Sequence, residues 1–462
     1  MAIVTALATT VAVAGTAGFV LTRRVAPPPT VADSFDLAAD VPGAVQPGPG
    51  DTVLPTPATD ASVPTAAALD RALGPALRAA GLGKQVSLDV LDPASGEHLL
   101  SQAVNTAREP ASTAKLLTGA AALSALGADT TLPTRTVQDD GGTVYLVGGG
   151  DVLLAKGSGD PEKVDGRAGL RDLAVATAAA LTAQGRTTIA LTLDDDLFGP
   201  QTRSPKWSPG DVGDGYVAPV QPLEVDAGRV EAEHYGRRAA DPAATAAAAF
   251  AKELKRAGVT VTGKVKRGDA PKTSTVLAGV NSATVAEQVE YALTESDNTV
   301  AEALARLVAR ATGGSLTFAG SGKAVLAQVQ ELGLGINGAT LTDGSGLGDG
   351  SRLPASLLSG VVALAAGGDH PELRPLLTGM PVAAVSGTLA DRFLDRDERG
   401  AAGLARAKTG TLTGVTSLAG TVVDADGRLL VFTLMADKVT STLGARAAMD
   451  AMVTTLAACG CR

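Results

Sequence analysis

Strand-like segments at the two ends of this 462-residue chain are the feature that most limits its fold. Val86, Leu88 and Val90 alternate with polar residues, which predicts a first strand, and a second is predicted at 99–104. Three more strands and a closing helix are predicted near the other end, at 403–411, 416–423, 429–435 and 443–458. The simplest arrangement is one antiparallel sheet to which both ends contribute, flanked by helices, in an α/β (α+β) layer structure.

The stretch 132–271 differs in character from its flanks. It carries short alternating segments at 144–147 and 188–193, where the flanks have longer helix patterns. We therefore predict that 132–271 is an inserted domain, and that 65–131 plus 272–462 form the main domain.

The first 64 residues predict a leader and a spacer. Residues 2–22 carry no charge, and as a helix they would rise about 31 Å, enough to span a bilayer core. This predicts a signal peptide or membrane anchor at 1–25. The segment 26–64 holds nine prolines and no periodic apolar pattern, which is typical of an extended linker. The expected location is the extracytoplasmic cell envelope, either secreted or anchored to the membrane.

Charge and cysteine content exclude several classes of function. The chain has 39 Lys and Arg against 48 Asp and Glu, a net charge of −9, and no basic stripe with interleaved aromatics. Nucleic-acid binding is therefore not expected. Cys459 and Cys461 are the two cysteines, and they can form a terminal bridge or remain thiols. An acidic run at 194–196 could bind a cation, but the preferred interpretation is the end of a strand on a solvated loop, and neither a metal nor a cofactor is predicted.

Ser112 and Lys115 form an S-x-x-K motif at the start of an Ala/Leu-rich helix predicted at 112–126. Pro110 fits just before a first helical turn, so Ser112 should lie near a helix N-terminus, which favours negative charge. Lys115 follows one turn later on the same face. Serine attacks only after losing its proton, and Lys115 can take that proton if burial or a second cation, Lys408, keeps it neutral. The alternative is a solvated Ser/Lys pair on an exposed helix.

Ser296 and Asn298 form an S-x-N motif near the beginning of an amphipathic helix pattern at 284–311. The Ser296 hydroxyl can pass a proton between Lys115 and a leaving amine, and Asn298 can hold a substrate amide. The same segment also has residues that favour the N-cap of a helix, and the catalytic and capping interpretations can both hold.

Lys408, Thr409, Gly410 and Thr411 form a K-T-G-T motif on a predicted strand. Gly410 has no side chain, so a substrate backbone can pair closely with the strand edge. Lys408 and Thr409 can bind a terminal carboxylate through charge-assisted hydrogen bonds. The backbone N–H groups of Ser112 and Thr411 can form an oxyanion hole. The alternative is an ordinary surface β-turn.

These three motifs occur once each and in this order, which resembles the penicillin-binding protein and serine β-lactamase superfamily. The long stretch between the first two motifs is similar to the D-alanyl-D-alanine carboxypeptidase/endopeptidase family, the class C low-molecular-mass penicillin-binding proteins. The stretches 148–151 and 343–347 also resemble that family. The chain departs from the family pattern at Val152, where proline is expected, and its insertion is shorter than in the larger members.

The resemblance implies a penicillin-binding-protein/β-lactamase-like transpeptidase fold and a serine-type D-Ala-D-Ala carboxypeptidase, with endopeptidase action also open. It implies that Ser112 attacks the penultimate D-Ala carbonyl of a peptidoglycan stem peptide, that D-Ala leaves, and that water frees the enzyme. Penicillins and other β-lactam inhibitors would acylate Ser112 in the same way. The implied catalytic residues are Ser112, Lys115, Ser296, Asn298 and Lys408, and the implied substrate-binding residues are Thr409, Gly410 and Thr411.

Two alternatives share these motifs. A class A β-lactamase would need a glutamate that activates the deacylating water, and Glu372 is the nearest candidate, although no Leu-Asn pair follows it. The long insertion also argues against that class. The second alternative is a cell-wall-binding module without catalysis, against which the intact set of three motifs argues.

Overall fold

The computed structural model describes residues 61–231, 233 and 235–462, which all belong to one compact unit. The predicted leader (1–25) and all but the last four residues of the predicted linker (26–64) lie outside the described residues. In this described part of the chain, none of the helices combines the length and the apolar character that a membrane crossing needs.

Strands and helices alternate irregularly along the chain. The strands are β1 (Gln85–Asp92), β2 (Glu97–Gln102), β3 (Thr131–Gln138), β4 (Val144–Val147), β5 (Asp151–Leu154), β6 (Thr188–Ile189), β7 (Leu191–Asp194), β8 (Leu223–Val225), β9 (Thr260–Val261), β10 (Lys266–Arg267), β11 (Thr275–Thr284), β12 (Ala405–Leu412), β13 (Val415–Val423) and β14 (Leu429–Asp437). The α-helices are α1 (Ala66–Leu77), α2 (Lys115–Leu126), α3 (Leu170–Ala183), α4 (Pro242–Arg256), α5 (Val285–Thr294), α6 (Asn298–Ala311), α7 (Phe318–Glu331), α8 (Ala355–Ala366), α9 (Pro375–Gly379) and α10 (Thr442–Ala457).

The main sheet is built from both ends of the chain, as predicted. Its strand order is β12-β13-β14-β1-β2, and every neighbouring pair is antiparallel. The register places Leu434 of β14 opposite both Leu88 of β1 and Leu418 of β13. These leucines pack with α1 and α10 on one face of the sheet. Residues of the opposite face, such as Ala419, pack against a core of helices that includes α2. Because these strands are covered on both faces, most residues of β13 and β14 are buried.

A second sheet has the order β10-β7-β4-β3-β11 and mixes parallel with antiparallel pairs. It packs with α3 and α4 around its own apolar cluster, in which Leu146, Leu173 and Phe250 are fully buried. Most of its strands come from 132–271, although β11 lies beyond that range. The division into an inserted and a main domain at these boundaries stays a prediction.

Helix α2 lies at the centre of the helical layer, against α5, α6, α7 and α8. Every residue from Lys115 to Leu123 is buried, which suits a helix that is apolar on all sides. The prediction of a single helix at 284–311 is wrong in one respect, because a short non-helical segment separates α5 from α6. Asp297 caps α6 by accepting a hydrogen bond from the Val300 N–H at 3.1 Å, and this helix start ends the continuous pattern.

Candidate active site

Ser112 lies on a 3₁₀ turn, Ala111–Ala114, that runs directly into α2. The preceding Ala111 has a φ of 47°, a left-handed conformation that is uncommon without glycine and typical of functional turns. The carbonyl of Pro110 accepts hydrogen bonds from the hydroxyls of Thr113 (2.7 Å) and Ser417 (2.6 Å). These hydrogen bonds attach the turn to β13. Ser112 lies near the N-terminus of α2, at the kind of position that the sequence predicted.

Lys115 is 1% exposed, and its Nζ has three polar neighbours. It lies 2.9 Å from Ser112 Oγ, 2.6 Å from Asn298 Oδ1 and 3.0 Å from the Ser345 carbonyl oxygen. Burial lowers the pKa of Lys115 to about 8, even though nearby carboxylates oppose the shift. The first two motifs therefore meet at this amine. The sequence analysis offered two causes for a neutral Lys115, burial and the nearby charge of Lys408, and burial is the main cause of its low pKa.

Ser296 occupies the break between α5 and α6 rather than a position inside one helix, and its φ is 55°. Its Oγ accepts a hydrogen bond from Lys408 Nζ at 2.9 Å. Among the described residues, Ser296 makes no hydrogen bond to Lys115, so the expected direct link between them is replaced by one to Lys408. Asn298 is engaged at both ends of its amide: Oδ1 faces Lys115 and Nδ2 donates to the Tyr216 carbonyl at 2.9 Å.

Lys408 and Gly410 lie on the edge strand β12. They share the face of the strand that is directed towards the turn carrying Ser112. Lys408 is fully buried, and burial together with the charge of Lys115 lowers its pKa well below the usual range. A Cβ on Gly410 would collide with Ser417 Oγ and stand 2.6 Å from the Pro110 carbonyl. The need for glycine here thus comes from the close approach of the Ser112 turn, which differs from the predicted approach of substrate.

A cavity of about 1010 Å³ opens over these residues. Ser112, Ser296, Asn298, Thr409 and Thr411 all contribute to its wall. Residues from all three motifs therefore face one space, and the edge of β12 forms one side of it. A second cleft of about 650 Å³ begins beside it.

Two buried carboxylates hold the loop that supports Lys115, and the motif analysis did not find their role. Glu302 accepts the backbone N–H groups of Gly344 (3.0 Å) and Ser345 (2.8 Å). Asp343 accepts Trp207 Nε1 at 3.0 Å and two further backbone N–H groups of the loop. The sequence analysis noted the 343–347 stretch but not Glu302. The one sequence feature that could have pointed to Glu302 is its position one helical turn after Asn298 on α6.

Asp297, the middle residue of the second motif, is held by arginines from 229–238. Arg229 Nη2 lies 2.5 Å from its Oδ2, and Arg238 Nη2 lies 3.7 Å away, with all three side chains buried. Burial alone would raise the pKa of Asp297, but Arg238 and Arg229 outweigh it and hold the pKa below its usual value. This network fixes the turn that presents Ser296 and Asn298, and no sequence motif pointed to it.

The other residues that the sequence analysis singled out, namely Glu372, the acidic run at 194–196 and the two cysteines, do not line the cavity. Glu372 pairs with His370 Nδ1 at 2.9 Å on a short 3₁₀ turn, and it is not part of the cavity wall. The carboxylates of Asp194, Asp196 and Asp269 lie close together at the end of β7, in the second sheet. Cys459 and Cys461 are joined by a disulfide, the first of the two states that the sequence left open.

The main sheet and the three motifs that meet beside its edge strand define the SxxK class of serine peptidases. The chain belongs to the D-Ala-D-Ala carboxypeptidase 3 (S13) family, whose family model matches residues 69–236 and 231–459. The predicted family and enzyme class are thereby confirmed, and the class A β-lactamase alternative is not supported.

The chain is similar to proteins of the same class. It is 38% identical over 433 residues to the carboxypeptidase DacB of Mycolicibacterium smegmatis, covering 92% of each chain. It is 30% identical over 427 residues to a D-alanyl-D-alanine carboxypeptidase of an Actinomadura species, covering 74% of this chain and 75% of that one. Among solved structures, penicillin binding protein 4 from Haemophilus influenzae matches with a TM-score of 0.67 at 20% identity, over 83% of this chain and 98% of that one. At this identity the structural match shows the fold alone, and the predicted fold class is confirmed.

Proposed function

We propose that this chain hydrolyses the D-Ala-D-Ala bond at the end of peptidoglycan stem peptides through an acyl-enzyme on Ser112. The observation that carries the proposal is the buried amine of Lys115, 2.9 Å from Ser112 Oγ on the wall of the cavity. Family membership supports the substrate class.

The neighbours of Lys115 explain how it acts as a base. The Ser345 carbonyl can only accept a hydrogen bond, and the Asn298 amide is oriented by its donation to Tyr216, so that Oδ1 faces Lys115. A neutral amine has two N–H groups and one lone pair. The two acceptors take the N–H groups, which leaves the lone pair for the Ser112 hydroxyl. The neutral form of Lys115 is therefore aligned to remove the proton of Ser112.

The reaction then follows from the atoms around Ser112. Its oxygen attacks the carbonyl carbon of the penultimate D-Ala while its proton passes to Lys115. The developing oxyanion is held by the backbone N–H groups of Ser112 and Thr411. The C–N bond breaks as the proton passes from Lys115 to the leaving nitrogen by way of the Ser296 hydroxyl, which turns from Lys408 towards Lys115 for this step, and D-Ala departs with a free amine.

Deacylation uses the same groups in reverse order. A water molecule loses a proton to Lys115, attacks the ester carbonyl and releases the shortened peptide. The proton then returns to Ser112. Penicillins contain a strained amide that Ser112 attacks in the same way, and they form an ester that persists because the leaving nitrogen stays attached.

Lys408 serves in this scheme as the partner that orients Ser296, through the hydrogen bond of 2.9 Å. Thr409 and Thr411 line the cavity, and the edge of β12 beyond Ala407, whose N–H pairs with the Pro381 carbonyl, can run alongside an extended peptide. We assign these residues to substrate binding and Gly410 to the packing of the Ser112 turn.

The substrate of this activity lies outside the cytoplasm, and we propose that the protein works there. Attachment to the membrane through residues 1–25 is part of the proposal and rests on the sequence alone. It is tested by cell fractionation of the full chain against a version that begins at residue 61.

The central experiment is intact-protein mass spectrometry after treatment with benzylpenicillin, with release of D-Ala from a stem pentapeptide measured in parallel. We expect one adduct on Ser112 and stoichiometric release of D-Ala. The Ser112→Ala variant is the matched control and should show neither. Release of D-Ala by Ser112→Ala, or an adduct on another residue, would refute the assignment.

A further inference from the structure

Arg446 lies on the cavity wall, in the second turn of α10. Its Nη2 donates to Thr411 Oγ1 at 3.0 Å, which links the guanidinium to the third motif. None of the three motifs includes this residue, and nothing in the local sequence marks it. Its position beside β12 is decided by the packing of α10 on the main sheet.

The guanidinium of Arg446 has donors left over. Its Nε is buried and has no hydrogen-bond partner among the described residues, and Arg446 forms no ion pair with any of them. A buried donor without a partner is costly, and a ligand that accepts from it recovers that cost. The neighbouring Arg392, on the same wall, is instead paired with both oxygens of Asp450.

The third motif does not provide a comparable charge. Lys408 is fully buried, its Nζ is bonded to Ser296 Oγ and the Thr409 carbonyl, and burial favours its neutral form. The Thr409 hydroxyl shares a hydrogen bond of 2.7 Å with Thr388. A guanidinium keeps its charge under all ordinary conditions and offers paired donors that suit a carboxylate.

We propose that Arg446, with the Thr411 hydroxyl, binds the free carboxylate at the C-terminus of the substrate and so makes the site selective for a free chain end. This rests on the proposed function, since it assigns a residue to the carboxylate of the same substrate. Arg446 acts in binding and takes no part in proton transfer. The negative end of the ligand would also lie near the N-terminal part of α10, whose dipole favours it.

The test compares acylation of Ser112 by benzylpenicillin, which has a free carboxylate, with acylation by its methyl ester, which has none. Both rates are followed by intact mass. We expect Arg446→Ala to slow acylation by the acid on the order of 10- to 100-fold and to leave the ester rate nearly unchanged. Arg446→Lys should recover part of the rate with the acid because it keeps the charge.

Arg203→Ala is the matched control. This arginine is exposed and lines neither the cavity nor the neighbouring cleft, so its loss removes one positive charge without touching the Arg446 wall. The ratio of acid to ester rates should stay at the wild-type value. A thermal unfolding curve of each variant checks that it is folded.

Equal slowing of both reagents in folded Arg446→Ala would overturn the proposal, because it would show a structural role. Unchanged rates with both reagents would overturn it as well. If the wild-type enzyme is acylated by neither reagent, the serine mechanism itself fails, which is a separate and distinguishable result.

Discussion

Raising the pH across the pKa of Lys115 should switch on the acylation of Ser112, with a midpoint near pH 8. Burial moves the pKa of this amine from 10.5 to about 8. At pH 7 the neutral fraction is then about one in ten, whereas an unshifted lysine would be neutral in about one molecule in 3,000. Burial therefore contributes on the order of 300-fold to the supply of active base at neutral pH.

The sign follows from the role of the amine. Only neutral Lys115 accepts the proton of Ser112, so the rate rises with pH and levels off above the pKa. The second-order rate of acylation by benzylpenicillin would be measured from about pH 6 to about pH 9.5, with correction for hydrolysis of the reagent alone. The adduct on Ser112 is quantified by intact mass at each pH.

Two variants identify the titrating group. Lys115→Arg cannot become neutral, so acylation should fall by about 10²- to 10⁴-fold and lose its pH dependence. Ser296→Ala leaves the three neighbours of Lys115 in place, so the plateau should fall while the midpoint stays near pH 8. A wild-type midpoint near the ordinary lysine pKa, or a rate that does not change with pH, would show that Lys115 is not the base.

Two further predictions concern the supports of the site. Asp297→Asn should lower the free energy of unfolding by about 1–3 kcal/mol in urea titrations, because Arg229 and Arg238 lose a shared buried carboxylate while Arg229 keeps its pair with Asp226. The exposed Asp160→Asn is its control and should change stability by less than about 1 kcal/mol. Gly410→Ala should cost about 1–3 kcal/mol and slow acylation, because its Cβ would press on the Pro110 carbonyl. A wild-type acylation rate in Gly410→Ala would contradict this, because it would show that the Ser112 turn accommodates a Cβ at position 410.

The break between α5 and α6 shows where local pattern misleads. The apolar periodicity of 284–311 continues across it, which predicts one helix. The capping chemistry of Asp297 was visible in the same sequence and was weighed only as an alternative for the motif. A cap that starts one helix also ends the helix before it, and this allows Ser296 to take a left-handed backbone conformation.

Local sequence patterns were enough to predict the strands at both ends, the helix that follows Ser112 and the three motifs. These depend on periodicity, turn residues and short spacings, which act over a few neighbouring positions. The need for one sheet shared by both ends followed from the same patterns. The family followed from motif order, and the comparisons confirm it.

The chemistry of the individual groups depends on tertiary contacts that the sequence patterns do not contain. The pKa of Lys115 depends on burial beneath segments that are far apart in sequence, and the orientation of Asn298 depends on the Tyr216 carbonyl. Arg446 reaches Thr411 only because α10 packs on the main sheet. Desolvation and charge act through space over a few ångströms, so they depend on which distant segments meet, and no local pattern records that.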